Sequence, residues 1–197
     1  TITLVDPNNR LPNYSVTYNT GTLTVGNNVL IVTPDNKTKV YGDVFTAFTG
    51  VIVGLQPGDN ITATYTSAGA AANATVAGSP YPIIATLTDP NSRLGNYTVT
   101  LNQGTLTVTR RALTVTPDNK TKVYGDLFTA FTGTITGIQN GDAITATYAS
   151  PGAAVTATVA GSPYTITATP NAPAGVLANY NVILNTGDLT VTQRTLI

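Results

Sequence analysis

Aspartate is the only carboxylate in this chain, with nine copies, and no histidine, cysteine or glutamate stands beside it. Without those residues a Ser–His–Asp or Cys–His arrangement cannot be built. A paired-carboxylate site would have to come from aspartates lying in turns. Disulfides and thiolate metal sites are excluded by the same inventory. The expectation is therefore a protein that is not an enzyme. It has no catalytic, cofactor-binding or metal residues to assign, and its ligand-binding residues stay unknown.

The local patterns that remain are few. Tyr41-Gly42-Asp43 returns as Tyr124-Gly125-Asp126, and a tyrosine beside an aspartate could stack on and hydrogen-bond a sugar. A structural account competes: Gly125 permits an unusual backbone angle, Asp126 caps the turn, and the Tyr124 ring packs inward with its hydroxyl satisfied. Asp59 and Asp142 each follow a glycine, but no DxDxDG-type calcium loop surrounds them, so turn chemistry explains them better. Lys37, Lys39, Lys120 and Lys122 read as solvated lysines of edge strands. The sharper alternative is a Lys–Asn isopeptide bond, for example to Asn179. Asn-x-Ser/Thr triplets such as Asn36-Lys37-Thr38 arise by chance in a chain this rich in Asn and Thr.

The elements that would position these residues are strands. Apolar and polar residues alternate through most of the chain, and helical periodicity is scarce. Between residues 112 and 192 the pattern predicts strands at Ala112–Thr116, Lys122–Tyr124, Thr132–Gly137, Ile144–Ser150, Ala157–Val159, Tyr164–Thr169, Tyr180–Asn185 and Gly187–Thr192. Turn signals separate them: Asn140-Gly141-Asp142, Pro151-Gly152 and Asn185-Thr186-Gly187, the last read as a hairpin loop joining two antiparallel strands. Pro117 cannot donate to a central ladder, which places the first strand at an edge. Phe128 to Phe131, mirrored by Phe45 to Phe48, is one stretch where a single helical turn would bring two rings together.

Self-comparison supplies the organisation. Leu30 to Asp43 and Leu113 to Asp126 differ at one position, and the offset that carries Tyr41 to Tyr124 holds without a gap for Gly78-Ser79-Pro80-Tyr81, for Asn13-Tyr14 and for Gly21. Across the two copies most aligned positions are identical. The division that follows is residues 28–110 as one module and 111–197 as a second. Residues 1–27 read as the C-terminal strands of a preceding repeat in a piece of a longer array. A cyclic repeat can be cut elsewhere, and 1–83 with 84–166 would also make two copies. The joint Val108-Thr109-Arg110-Arg111-Ala112-Leu113 contains none of the Gly, Pro or Ser that make a flexible linker. Modules joined this way would form a semi-rigid rod.

Composition agrees with a folded chain. Charged residues make up 9% and hydrophobic residues 42%, enough apolar and β-branched surface for a core. Nine basic and nine acidic groups cancel, leaving no electrostatic footprint for nucleic acid. No apolar run approaches the length of a membrane helix. Thr-rich edges with little charge leave room for self-association, although a monomer within the array is the expectation.

The blocks L-x-V-T-P-x-x-x-x-K-V-Y-G-D, G-D-x-I-T-A-T-Y and N-Y-x-V-x-L-N-x-G-x-L-T-V occur in order in both copies, and Asn13-Tyr14 with Gly21 to Val25 repeats the last of them. They resemble the MBG domain of the Tyr-Gly type, an array-forming module of large bacterial surface proteins, and the resemblance favours the division at 28 and 111. It implies an extracellular, all-β fold of tandem β-sandwich or β-grasp-like modules arranged end to end as an elongated rod on a bacterial cell surface. The functional expectation is a structural spacer, the stalk of an adhesin projecting a distal binding domain. Its alternative is weak, multivalent binding of host mucin or glycans.

Overall fold

Alternation of threonine with apolar residues gives each strand two faces. In Gly104–Thr109 the glycine, Leu106 and Val108 are buried and the three threonines are exposed. Arg111–Pro117 buries Leu113, Val115 and Pro117. A computed structural model describes residues 1–197. It is all-β, with two sets of seven strands and otherwise only short 3₁₀ turns. The first module contains β1 (Asn28–Pro34), β2 (Lys37–Val40), β3 (Gly50–Val53), β4 (Thr62–Thr66), β5 (Tyr81–Thr88), β6 (Tyr97–Leu101) and β7 (Gly104–Thr109). The second repeats them as β8 (Arg111–Pro117), β9 (Lys120–Val123), β10 (Gly133–Thr136), β11 (Thr145–Ala149), β12 (Tyr164–Asn171), β13 (Tyr180–Leu184) and β14 (Gly187–Thr192). No helix is long and apolar enough to cross a membrane.

Each module is a sandwich of two sheets, ordered β3-β1-β6 and β2-β7-β5-β4 in the first and β10-β8-β13 and β11-β12-β14-β9 in the second. Two long chain segments build it. One runs through β1 and β2, the other through β6 and β7, and each passes from one sheet to the other midway, at Pro34–Lys37 and at Leu101–Gly104. They lie side by side, β6 parallel to β1 and β7 parallel to β2. The thirteen residues from Asn28 to Val40, at about 3.3 Å each, reach roughly 40 Å if they run straight. Asn28 and Tyr41 therefore mark opposite poles of the module. Between the sheets Leu30, Val32, Ile83 and Leu106 are fully buried, as are Leu113, Val115, Ile166 and Leu189 in the second module.

This topology corrects four expectations. The last two strands of a module do not form a hairpin across Asn185-Thr186-Gly187: β13 pairs parallel with β8, whereas β14 pairs with β9 and β12. The two-residue connection, Asn185-Thr186, is a change of sheet, which a sequence with hairpin-like turn residues does not disclose. The strand containing Pro117 is central, flanked by β10 and β13. The proline is tolerated because it is the final residue, where the chain leaves the ladder. Ala157–Val159 is irregular and not a strand. Finally, residues 1–27 contain no strand, only the 3₁₀ turn Leu11–Asn13. That turn is local: Asp6 accepts the Leu11 N–H at 2.6 Å, as Asp89 accepts that of Leu94 at 2.7 Å before β6. The strands expected after it are not local. Their counterparts β6 and β7 pair only with β1, β2 and β5 of their own module.

Truncating a fully buried side chain should cost far more than truncating an exposed one in the same module. Leu189→Ala is expected to lower the unfolding free energy by about 2–5 kcal/mol. Leu184→Ala, on a side chain already 51% exposed, should cost less than about 1 kcal/mol. Urea unfolding followed by circular dichroism compares the two.

Candidate functional site: the joint between the modules

The chain leaves β7 at Thr109 and enters β8 at Arg111, so one residue separates the modules. The far pole of the first module then meets the near pole of the second. From the first come the Tyr41-Gly42-Asp43 turn and the loop from Ala72 to Val76. From the second come Arg111, the Gln139–Asp142 turn and Asn179-Tyr180. Tyr41, Ala74 and Val108 pack with Leu113, Ile144 and Tyr180 in one buried apolar cluster, edged by Val76, Ala172 and Val176. The Tyr41 and Tyr180 rings meet edge to face, centroids 5.4 Å apart at 78°. Such a pair contributes about 0.5–1.5 kcal/mol beyond its area.

Polar groups complete the contact. Tyr180 donates its hydroxyl to Asp142 at 2.6 Å and accepts the Gln139 N–H at 3.0 Å. Tyr97 makes the same pair of bonds to Asp59 and Gln56, so this arrangement belongs to every module. What the joint adds is Tyr41, whose hydroxyl donates to Asp142 at 3.1 Å from the other module. Asn179 accepts the Val76 N–H at 2.9 Å, and the Asn140 amide donates to Ala72 O at 3.2 Å. Arg111 reaches back to donate to Tyr41 O at 2.6 Å and pairs with Asp43, while Arg110 donates to Ala178 O at 3.1 Å. Beside this contact lies a groove of about 360 Å³ lined by Tyr41, Thr75, Ala77, Val176 and Asn179 among others. The Tyr41 ring offers no open face to it, being only 4% exposed.

The residues singled out in the sequence fall into three groups. The Tyr-Gly-Asp turns have the expected geometry, with φ of +90° at Gly42 and +88° at Gly125. The tyrosine does not pack into its own module, however. Tyr41 is buried by the next module, and Tyr124, with none beyond it, is 44% exposed. Asp43 and Asp126 hold Arg111 and Arg194 in place of capping the turn with their side chains. Asp59 and Asp142 sit in turns as expected, but their carboxylates receive tyrosine hydroxyls. Lys37 and Lys120 pair with Asp35 and Asp118 on the edge. Lys39 and Lys122 are buried instead, at 6% and 5% exposure. Each ammonium is satisfied by main-chain carbonyls: Lys39 by those of Asp43 and Ala71, Lys122 by those of Asp126 and Ala154. No asparagine side chain approaches either lysine as a hydrogen-bond partner, and Asn179 serves the joint. Phe45 with Phe48, and Phe128 with Phe131, do bring their rings together, 4.9 Å apart, in a loop and not a helical turn. Asn179 escaped sequence reasoning as a joint residue, and so did the reach of Arg111 back to Tyr41 and Asp43; the signal available was arginine at 111 and 194 against asparagine at 28.

Burial first, and then the Asp142 carboxylate, push the Tyr180 hydroxyl up from the usual 10.0 to about 12. The same two causes raise Tyr41. Because the folded state holds these protons more tightly, their contribution is complete below pH 10 and is lost as pH rises through about 12. Unfolding free energy should therefore fall between pH 10 and 12, and Tyr180→Phe should flatten that slope in urea titrations across the range.

Against known proteins, the chain matches the MBG domain (YGX type) twice, over residues 30–107 and 113–190. No curated protein matches it significantly in sequence. Among solved structures it is similar to the crystal structure of the I9–I11 tandem from titin, at 13% identity and a TM-score of 0.27. That match covers 84% of this chain and 66% of the titin one. The two family matches fall within the two seven-stranded modules and leave residues 1–27 outside. The chain belongs to the MBG domain family of the YGX type, represented here by two consecutive copies.

Proposed function

We propose that these modules are a spacer: non-enzymatic stalk repeats of a large bacterial surface adhesin, held outside the cell and carrying a distal binding domain away from the envelope. The observation that supports this most is the joint. It uses two different faces at opposite poles of one repeated unit, so contact of module to module propagates in a line and does not close on itself. Each added module extends the line by roughly 40 Å. Membership of a repeat-forming domain family points the same way. So does the absence of histidine, cysteine and glutamate from the chain, since a length-giving element needs no reactive group. Residues 1–27 fit the scheme as the last part of a preceding repeat. Their Asp6-to-Leu11 turn and Asn13-Tyr14 copy the entry to β6.

Small-angle scattering should give a radius of gyration well above the roughly 16 Å of a compact chain of this length. A value no larger than that of the compact chain would mean that the modules fold back on each other and would end the spacer reading. Weak binding of mucin or glycan by each repeat is the competing role. A glycan array probed with the chain separates the two, with no signal expected for a spacer.

A further inference from the structure

We infer that the first residue of a module's opening strand sets the stiffness of the joint before it: arginine fixes the joint, and asparagine makes it a hinge. The inference rests on the spacer reading and adds that the rod is built with stiff and bending joints at positions written in the sequence.

Three equivalent positions occur in the chain, Asn28, Arg111 and Arg194, and the two arginines behave alike where the asparagine does not. Arg111 opens β8 of the second module, yet its guanidinium turns back to the first, to Tyr41 O and the Asp43 carboxylate. Arg194 makes the equivalent contacts, donating to Tyr124 O at 2.7 Å and pairing with Asp126. No module lies beyond Arg194 in this structure. The arginine therefore makes both contacts without help from any apolar contact between modules. A planar fork that bonds a carbonyl and a carboxylate together restricts rotation about the joint as a single contact does not.

Asn28 does the reverse. Its amide donates to Gly54 O at 3.0 Å, inside its own module, and its side chain is too short to reach back across a joint. The residues before it agree. Thr109 and Thr192 tie the end of β7 and of β14 to Lys39 O and Lys122 O through their hydroxyls, each at 3.1 Å. The equivalent residue before Asn28 is Gly26, which has no hydroxyl and the widest backbone freedom. The face of the first module that would meet a preceding one is also more polar. Arg93 and Asp89 stand where Val176 and Ala172 join the apolar cluster of the second joint. Anchor, tether and apolar contact are thus all weakened at the same joint.

The test writes the sequence of the first joint into the second. The chain has no cysteine, so Thr86→Cys and Thr169→Cys, on exposed equivalent positions of β5 and β12, carry spin labels without background. Double electron–electron resonance then reads the distribution of inter-module distance in the full chain. The parent should give one narrow distribution. Arg111→Asn should broaden it at least twofold, and Thr109→Gly/Arg110→Asn/Arg111→Asn should broaden it further. Arg111→Lys, which keeps the charge and loses the fork, should fall between. Asp43→Asn removes the half-exposed partner and should also broaden the distribution, which covers the case in which the arginine variants fold poorly. A narrow parent with variants equally narrow overturns the arginine rule and leaves the spacer reading standing. A parent already broad overturns both.

Discussion

A tyrosine that can be buried only by the next module is the constraint on which this structure turns. Tyr41 and Tyr124 occupy the same position of nearly identical modules, in the same Tyr-Gly-Asp turn, yet one is 4% and the other 44% exposed. The difference is the neighbour. A module of this kind folds around its own core of Leu30, Val32, Ile83 and Leu106, but it leaves an aromatic ring at one pole. At the other pole stands a carboxylate, Asp142, with room for a second hydroxyl beside that of Tyr180. The two poles are complementary to each other, and different complementary faces at opposite ends of a single unit generate a line.

The topology explains why the poles lie where they do. Two parallel runs traverse the module from end to end and change sheet midway. The run through β6 and β7 delivers the chain to the far pole beside the Tyr41 turn, where Tyr41 N–H bonds Thr109 O at 2.9 Å. The next module begins two residues later. There is no slack in such a connection, and its orientation passes to the side chains flanking it. The buried Lys39 and Lys122 serve the same end, pinning the Tyr-Gly-Asp turn to the neighbouring loop through main-chain carbonyls. A buried ammonium needs those oxygens, so the turn that receives the next module is held firm by its own.

Much of this was legible in the sequence, and the part that was not has a common cause. The tandem repeat, the all-β class, most strand positions and the linker-free joint follow from local pattern and self-comparison. The pairing of those strands does not. Asn185-Thr186-Gly187 has the composition of a hairpin turn, but pairing is decided by partners far away along the chain, as when Tyr180 aligns with Arg111 and Leu189 with Lys120. Pro117 likewise argues for an edge if its own strand is considered alone, and is harmless once it proves to be the terminal residue of a central one. The site was missed for the same reason. The partner of the Tyr41 hydroxyl lies 101 residues away, and the burial of Lys39 depends on a carbonyl 32 residues away. The Tyr-Gly-Asp turn could be seen; that its ring belongs to the joint and not to its own core could not.

Residual dipolar couplings measured separately for residues 28–109 and 111–192 in one weakly aligned sample test the central claim most directly. If the modules are held head to tail as one body, both sets will fit a single alignment tensor of one magnitude and orientation when the structure is used unaltered. Two tensors of clearly different magnitude would mean that the modules tumble apart, and the account of the joint would fail.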